Sequence, residues 1–257
     1  MQPGLLERMV AVEENHWWMR ARQEILLALL RRWVPAGGRV LDVGCGTGYL
    51  AAAASREWEV WGLDPAPEAV AFCRARGLDR VRQATVADLG TGLVPACDAV
   101  CFFDVLEHLD DDIAALRGAV RNLSPGGRVL VSVPAYPWLW GSHDLTHHHR
   151  RRYTRSSLQN ALDLAGLVPV MSGYFNSRLF PIAAASRLWN RWGRAKPGSV
   201  LLPVPPAPVN ALFRRVFASE ANRLSGPAPR PFSYGLSVLA VAQVKGPAWG
   251  ERITAGA

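Results

Sequence analysis

Apolar residues recur along this chain at two different periods. Between residues 5 and 33 the spacing is helical: Leu5, Leu6, Met9 and Val10, then Ile25, Leu26, Leu29 and Leu30, steps that keep them on one helix face. Pro35-Ala-Gly-Gly38 stops the run, so residues 1–36 are expected to form a helical arm. From residue 39 short apolar runs alternate with helical segments. Residues 39–43, 60–63, 80–84, 98–103 and 128–133 read as strands. Helices are expected at 48–56, near 66–76 and near 111–122, with a turn at Ser124-Pro-Gly-Gly127. This alternation predicts parallel βαβ units in an open, doubly wound α/β sheet with helices on both faces.

Beyond Pro134 the pattern changes. Residues 135–153 are rich in aromatics, His and Arg. Thr154 can cap a helix running to about 165 and ended by Gly166, and 167–174 reads as a sixth strand. Residues 175–230 carry helical stretches at 178–193 and 209–224 around a proline-rich segment, 203–208. The apolar run 234–244 completes a mostly parallel sheet of seven strands, and 246–257 reads as a loose tail. The expected organisation is an arm over 1–36, a core over 37–174 and 231–245, and a helical insert over 175–230.

The chemistry concentrates after the first strand. Leu41-Asp-Val-Gly-Cys-Gly-Thr-Gly48 places Gly44, Gly46 and Gly48 in a strand-to-helix loop, where missing Cβ atoms let a cofactor approach the backbone. Asp42 ends the strand before it. Asp64, 20 positions after Gly44, ends the second strand, where a carboxylate can meet ribose hydroxyls. Asp88 follows the third strand, and Asp104 and Glu107 follow the fourth. A dinucleotide brings a pyrophosphate that Asp42 would repel; a cationic adenosine cofactor would be attracted. The sign of the site favours S-adenosylmethionine (SAM) over NAD.

Val40-Leu-Asp-Val-Gly-Cys-Gly-Thr-Gly48, Gly62-Leu-Asp64, Ala87-Asp88, Phe103-Asp-Val-Leu-Glu-His-Leu109 and Ser124-Pro-Gly-Gly-Arg-Val-Leu130 together resemble the class I, Rossmann-like SAM-dependent methyltransferases. The resemblance covers roughly residues 38–135. It implies that Gly44–Gly48 holds the methionine part of SAM, Asp64 the ribose, and Asp88 with Leu89 the adenine, with Phe103 near the sulfonium. Glu107-His108 reads either as helix-start polarity or as cofactor-adjacent. Glu13-Glu-Asn-His-Trp-Trp-Met-Arg-Ala-Arg22 looks like the N-terminal signature of a bacterial group of these enzymes, similar to methyltransferase types 11 and 23. There Arg22 could pair with the cofactor carboxylate under Trp18, one helical turn away; Trp17 is assigned to packing.

Asp144-Leu-Thr-His-His-His149-Arg-Arg-Arg-Tyr153 also resembles that group. A hydroxyl acceptor needs a base, and His149 and His143 are the candidate imidazoles, with Asp144 or Tyr153 orienting them. Arg151 and Arg152 read either as an anion clamp or as a solvated basic stretch. Consecutive histidines rarely converge on one ion, so no metal is expected. In the insert, Leu179, Phe180, Ile182, Leu188 and Trp192 are mixed with Arg178, Arg187, Arg191 and Arg194. The mixture suits a lid, a contact with an anionic membrane, or packing on the sheet.

The 257 residues carry a net charge of +8, with 27 arginines against two lysines. Abundant Ala, Gly and Pro alongside Arg suggest GC-rich coding, which weakens basicity as a sign of nucleic acid. No added RNA-binding module is visible, and no Asn-Pro-Pro-Tyr element follows the fourth strand, so nucleic acid is not an expected partner. Four unevenly spaced cysteines, none in a Cys-x-x-Cys pair, read as reduced thiols. The first residues lack a secretory pattern, and no apolar run nears the roughly 20 residues of a spanning helix. The expectation is a cytoplasmic enzyme, peripheral to the inner membrane face if the insert touches lipid. It would move a methyl group from SAM to a small-molecule or lipid-linked acceptor, at oxygen. The alternatives are a noncatalytic SAM-fold binding or membrane-associated module, and a NAD-dependent oxidoreductase.

Overall fold

The computed structural model describes residues 4–191 and 204–246. Two helices, α1 (Leu5–Glu13) and α2 (Trp17–Trp33), form the arm. The sequence suggested one continuous arm; the break comes where the His16 ring accepts the Trp18 N–H (3.2 Å) and starts a new helix. There follow β1 (Arg39–Val43), α3 (Tyr49–Ala54), β2 (Glu59–Asp64), α4 (Pro67–Ala75), β3 (Val81–Gln83), β4 (Cys97–Phe103), α5 (Asp112–Arg121) and β5 (Leu123–Pro134). The expected turn at Ser124–Gly127 is drawn into the start of β5, where the ladder with β4 shifts register between Cys97 and Ala99. Then come α6 (Ser142–Thr146), α7 (Arg155–Leu164), β6 (Leu167–Phe175), α8 (Phe180–Arg191), α9 (Ala207–Ala218), α10 (Ala221–Ser225) and β7 (Ser237–Val244). The expected stretch 178–193 runs past Arg191, so Trp192 and Arg194 lie outside the described residues, as does most of the tail.

The seven strands lie in the order β3-β2-β1-β4-β5-β7-β6. Neighbours from β3 to β5 pair in parallel, while β7 is antiparallel to both β5 and β6. Alternation along each strand builds two cores. Leu41, Val100, Phe102, Val129 and Val131 face α5 and α7, with Leu116, Leu158 and Leu162. Val40, Ala99, Cys101, Leu130 and Val241 face the other layer, with Ile25, Leu29, Phe217 and Leu224. All four cysteines are buried and free. Strand order reverses between β1 and β4, and the crevice above such a point, at the carboxyl ends of the strands, is where open α/β sheets bind ligands.

The insert lies against the arm. Trp17 packs edge-on to Phe213 (5.4 Å) and Phe217 (6.3 Å), and Asn210 Oδ1 accepts the Trp17 N–H at 2.9 Å. Arg214 pairs with Glu24. The expected helix 209–224 is interrupted at Glu220, whose buried carboxylate accepts the backbone N–H groups of Asn176 (2.7 Å), Ser177 (2.8 Å) and Arg178 (2.8 Å). That carboxylate holds the end of β6 to the insert and satisfies three donors that burial would otherwise orphan. Glu220→Ala should lower unfolding free energy by about 2–4 kcal/mol, measured by denaturant titration, with an unchanged m-value if only this latch is lost.

Candidate functional site

The glycine loop rises from β1 with Gly44, Gly46 and Gly48 all in the left-handed region (φ 69, 54 and 73). At Gly48 an added Cβ would lie 2.8 Å from Cys73 Sγ; at Gly46 it would meet nothing within 4 Å. Gly46 is thus glycine for its backbone angle, and its open face is a cradle for a ligand. Asp64, at the end of β2, accepts the Gly46 N–H through Oδ2 and the Ala66 N–H through Oδ1, both at 2.9 Å. Burial raises its pKa, and the two N–H groups partly offset the rise. Asp42 is buried beside it. Desolvation, then the Asp64 charge, push Asp42 up to about 7 against a smaller opposing effect of Arg22.

Arg22 comes in from α2. Its Nη2 reaches Asp104 Oδ2 at 2.7 Å and Ser132 Oγ at 2.8 Å. Its guanidinium carbon lies 5.5 Å from the Trp18 ring centre and 5.7 Å from that of Phe175. Its Nη1 is buried without a hydrogen-bond partner. A buried, charged donor left open at a strand edge fits the carboxylate of an amino-acid ligand. Asp104 itself has φ 61, the left-handed region that a non-glycine residue holds only when its surroundings fix it.

On the neighbouring side, a cleft of about 410 Å³ runs between the short turn Val86–Asp88 and the start of α5, lined by Val86, Ala87, His108, Leu109 and Arg121. Beyond it stands the 143–153 segment. Asp144 is fully buried: Oδ1 accepts from His149 Nδ1 (2.8 Å) and Arg152 Nε (2.7 Å), and Oδ2 from the Gly141 N–H (2.9 Å). Burial alone would raise its pKa; the bonds from His149 and Arg152 outweigh it and hold Asp144 below the ordinary carboxylate range. The His149 ring stands edge-on to His108 at 4.8 Å. Burial, then His149, lower His108 to about 4. Glu107 is fully buried, and neither carboxylate oxygen has a hydrogen-bond partner; desolvation, then Asp104, raise its pKa well above normal.

A family model described as a methyltransferase domain matches residues 17–171. The chain belongs to this methyltransferase family. It is 40% identical over 103 residues to a ubiquinone biosynthesis O-methyltransferase of Xanthomonas oryzae pv. oryzae, covering 38% of this chain and 43% of that protein. It is 35% identical over 133 residues to the protein of the same name from Xanthomonas axonopodis pv. citri, covering 46% and 56%. The chain spans about half the length of the curated relatives it matches. Among solved structures it is similar in fold to a TehB-like SAM-dependent methyltransferase from Corynebacterium glutamicum (TM-score 0.56, 17% identity, 95% of this chain and 100% of that one). A SAM-dependent methyltransferase from Archaeoglobus fulgidus is also similar (TM-score 0.54, 19% identity, 86% and 93%).

In this chain the residues singled out from the sequence separate into two groups. Arg22, Asp42, the three glycines, Asp64 and Phe103 gather around the ends of β1, β2 and β4. The Asp88 carboxylate instead accepts the Thr85 N–H (2.8 Å) and hydroxyl (3.1 Å), and Leu89 is fully buried. Val86 and Ala87 form the cleft wall instead.

Tyr153 does not orient a histidine. Its hydroxyl donates to Asp112 Oδ2 (2.7 Å), and burial with that bond raises its pKa. Nor do the arginines form an open anion clamp. Arg150 pairs with Asp110, Arg151 with Asp112 and Arg152 with Asp144.

The His143 ring lies tilted against His147 at 4.2 Å and 5.9 Å from the His149 ring. Among the described residues, the grouping of three possible ligands is not the consecutive histidines but Glu107, His108 and His149, whose ligand atoms all lie within 4.8 Å of one another. Ser132 escaped notice in the sequence, although a hydroxyl inside the apolar run Val129–Val133 was a visible signal. Asp42 gives a pH signature. Because its folded pKa lies above the carboxylate reference, stability is greatest where it is protonated and is lost as pH rises toward about 7. Asp42→Asn should flatten the fall in melting temperature of the ligand-free protein between pH 5 and 8, read by scanning calorimetry (roughly the interval from reference to folded pKa).

Proposed function

We propose that the protein transfers the methyl group of SAM to an oxygen of a small-molecule or lipid-linked acceptor. The observation that carries this reading is the pairing of opposite charges around the open glycine loop. Buried Asp42 and Asp64 stand on one side, and the unpartnered Nη1 of Arg22 on the other. A zwitterionic amino-acid ligand with a cationic sulfur matches both. Bound there, SAM supplies a methyl group already activated on a sulfonium. The protein's part is to hold the donor, align the acceptor and keep water out. Arg22 holds the carboxylate end, the loop N–H groups and Asp64 the ribose side, and Val86 and Ala87 the adenine.

On the acceptor side the His149–Asp144 pair activates the hydroxyl. Asp144 fixes the imidazole through Nδ1, which holds the ring edge-on to His108 and sets the direction of its other nitrogen. An aromatic shelf supports an apolar acceptor. Tyr136 stacks on Trp138 (5.6 Å) and Tyr174 (5.1 Å), and Phe180 packs on Tyr136 (5.9 Å) and Tyr234 (5.6 Å). Ile182 and Leu212 on the insert are more than half exposed. They support contact with a membrane surface, which suits a lipid-linked acceptor and a peripheral cytoplasmic location. No helix among the described residues is long and apolar enough to cross a membrane. Relatives with O-methyltransferase in their names support oxygen as the acceptor atom.

Asp64→Ala should weaken SAM binding by about 1.5–3 kcal/mol in titration calorimetry; unchanged affinity would remove the cofactor assignment. His149→Ala should leave SAM affinity intact and slow S-adenosylhomocysteine production from a responsive acceptor by roughly 10²–10⁴-fold. Full turnover in that variant would return the 143–153 segment to a structural role.

A further inference from the structure

The arm carries a second contact with the glycine loop, separate from Arg22. Glu13, the last residue of α1, is 1% exposed. Its Oε2 accepts the Thr47 hydroxyl at 2.6 Å. Arg76, just after α4, pairs with the other oxygen of Glu13 and donates from Nε to the Thr47 carbonyl at 3.0 Å. Its remaining nitrogen reaches Glu14 at 3.2 Å. Thr47 is itself buried, and it sits between Gly46 and Gly48, two of the loop's three left-handed glycines. One loop residue is therefore gripped at both its side chain and its carbonyl by an ion pair whose acid comes from the arm. Gln23 adds a donor to the Tyr49 carbonyl at 2.8 Å, where α3 begins.

A loop with three glycines in left-handed conformations has many alternative shapes and loses much entropy when fixed. A ligand that needs one shape binds more weakly by the fraction of time the loop spends elsewhere. The hydrogen bonds of Glu13 go to Thr47 and Arg76, and it lies before residue 17, where the family match begins. We propose that Glu13 is a positioning residue of the cofactor site. Braced by Arg76, its carboxylate fixes Thr47 and so holds the glycine loop in its binding shape, making SAM affinity depend on an arm side chain that does not contact SAM. This rests on the reading that the loop binds SAM.

The test is titration calorimetry of the full chain with S-adenosylhomocysteine, paired with melting temperatures. Thr47→Val, isosteric but without the hydroxyl, and Glu13→Ala should each weaken binding about tenfold, as loss of one buried charge-assisted hydrogen bond does. The double variant should be little worse than either single one, because both remove the same contact. Thr47→Ser, which keeps the hydroxyl, should bind like the parent. Glu57→Gln should also leave affinity unchanged, since it breaks only an exposed arm-to-core pair with Arg31. Affinities within twofold of the parent in both Thr47→Val and Glu13→Ala, whatever their melting temperatures, would overturn the inference. So would a fully additive double variant. Should Glu13→Ala fail to fold, Thr47→Val decides alone. A parent protein that does not bind S-adenosylhomocysteine at all would defeat the cofactor reading itself.

Discussion

One buried guanidinium ties the parts of this molecule together. Arg22 leaves the arm, passes between the rings of Trp18 and Phe175, and ends against Asp104 and Ser132. A charge in that position is tolerable only with partners, so its presence obliges the arm, the turn after β4 and the ends of β5 and β6 to meet. The same requirement fixes the unusual backbone of Asp104. It also leaves one nitrogen unsatisfied at the strand edge, and a bound carboxylate would relieve that deficit.

Around that cation the acidic groups are crowded and dry. Asp42, Asp64 and Glu107 are all buried, and burial raises the pKa of each. Such a site is under electrostatic strain until a cation arrives. A ligand that binds the folded protein with positive charge stabilises it by mass action and by drawing these carboxyls toward ionisation. A pyrophosphate would do the opposite. The sign of the site therefore selects its ligand before shape is considered.

The high arginine content acts differently from its first appearance. The run Arg150-Arg151-Arg152 faces Asp110, Asp112 and Asp144 in turn, which cancels its field locally and makes the run a brace for the loop. Arg152 in particular fixes Asp144, and Asp144 fixes the His149 ring. The segment thus presents an imidazole held in one orientation, with no arginine of the run left as an open cation.

Much of this was legible in the chain itself. Short apolar runs between helical segments marked the strands, glycine spacing the loop, and Asp42 and Asp64 at strand ends the sign of the cofactor site, because these depend on neighbours close in sequence. Side-chain pairing was not legible. Tyr153 looked like a partner for histidine until the fold set Asp112 beside its hydroxyl, 41 residues away. Glu13 opens the N-terminal signature, but nothing local named its partners, since Thr47 and Arg76 reach it only after the arm has docked. The break at Glu220 likewise depends on three N–H groups more than 40 residues earlier. Local patterning determined the elements and the edge at which chemistry could occur. Only the tertiary structure decided which charges neutralise one another and which remain open, because that depends on contacts whose sequence separation no periodicity encodes.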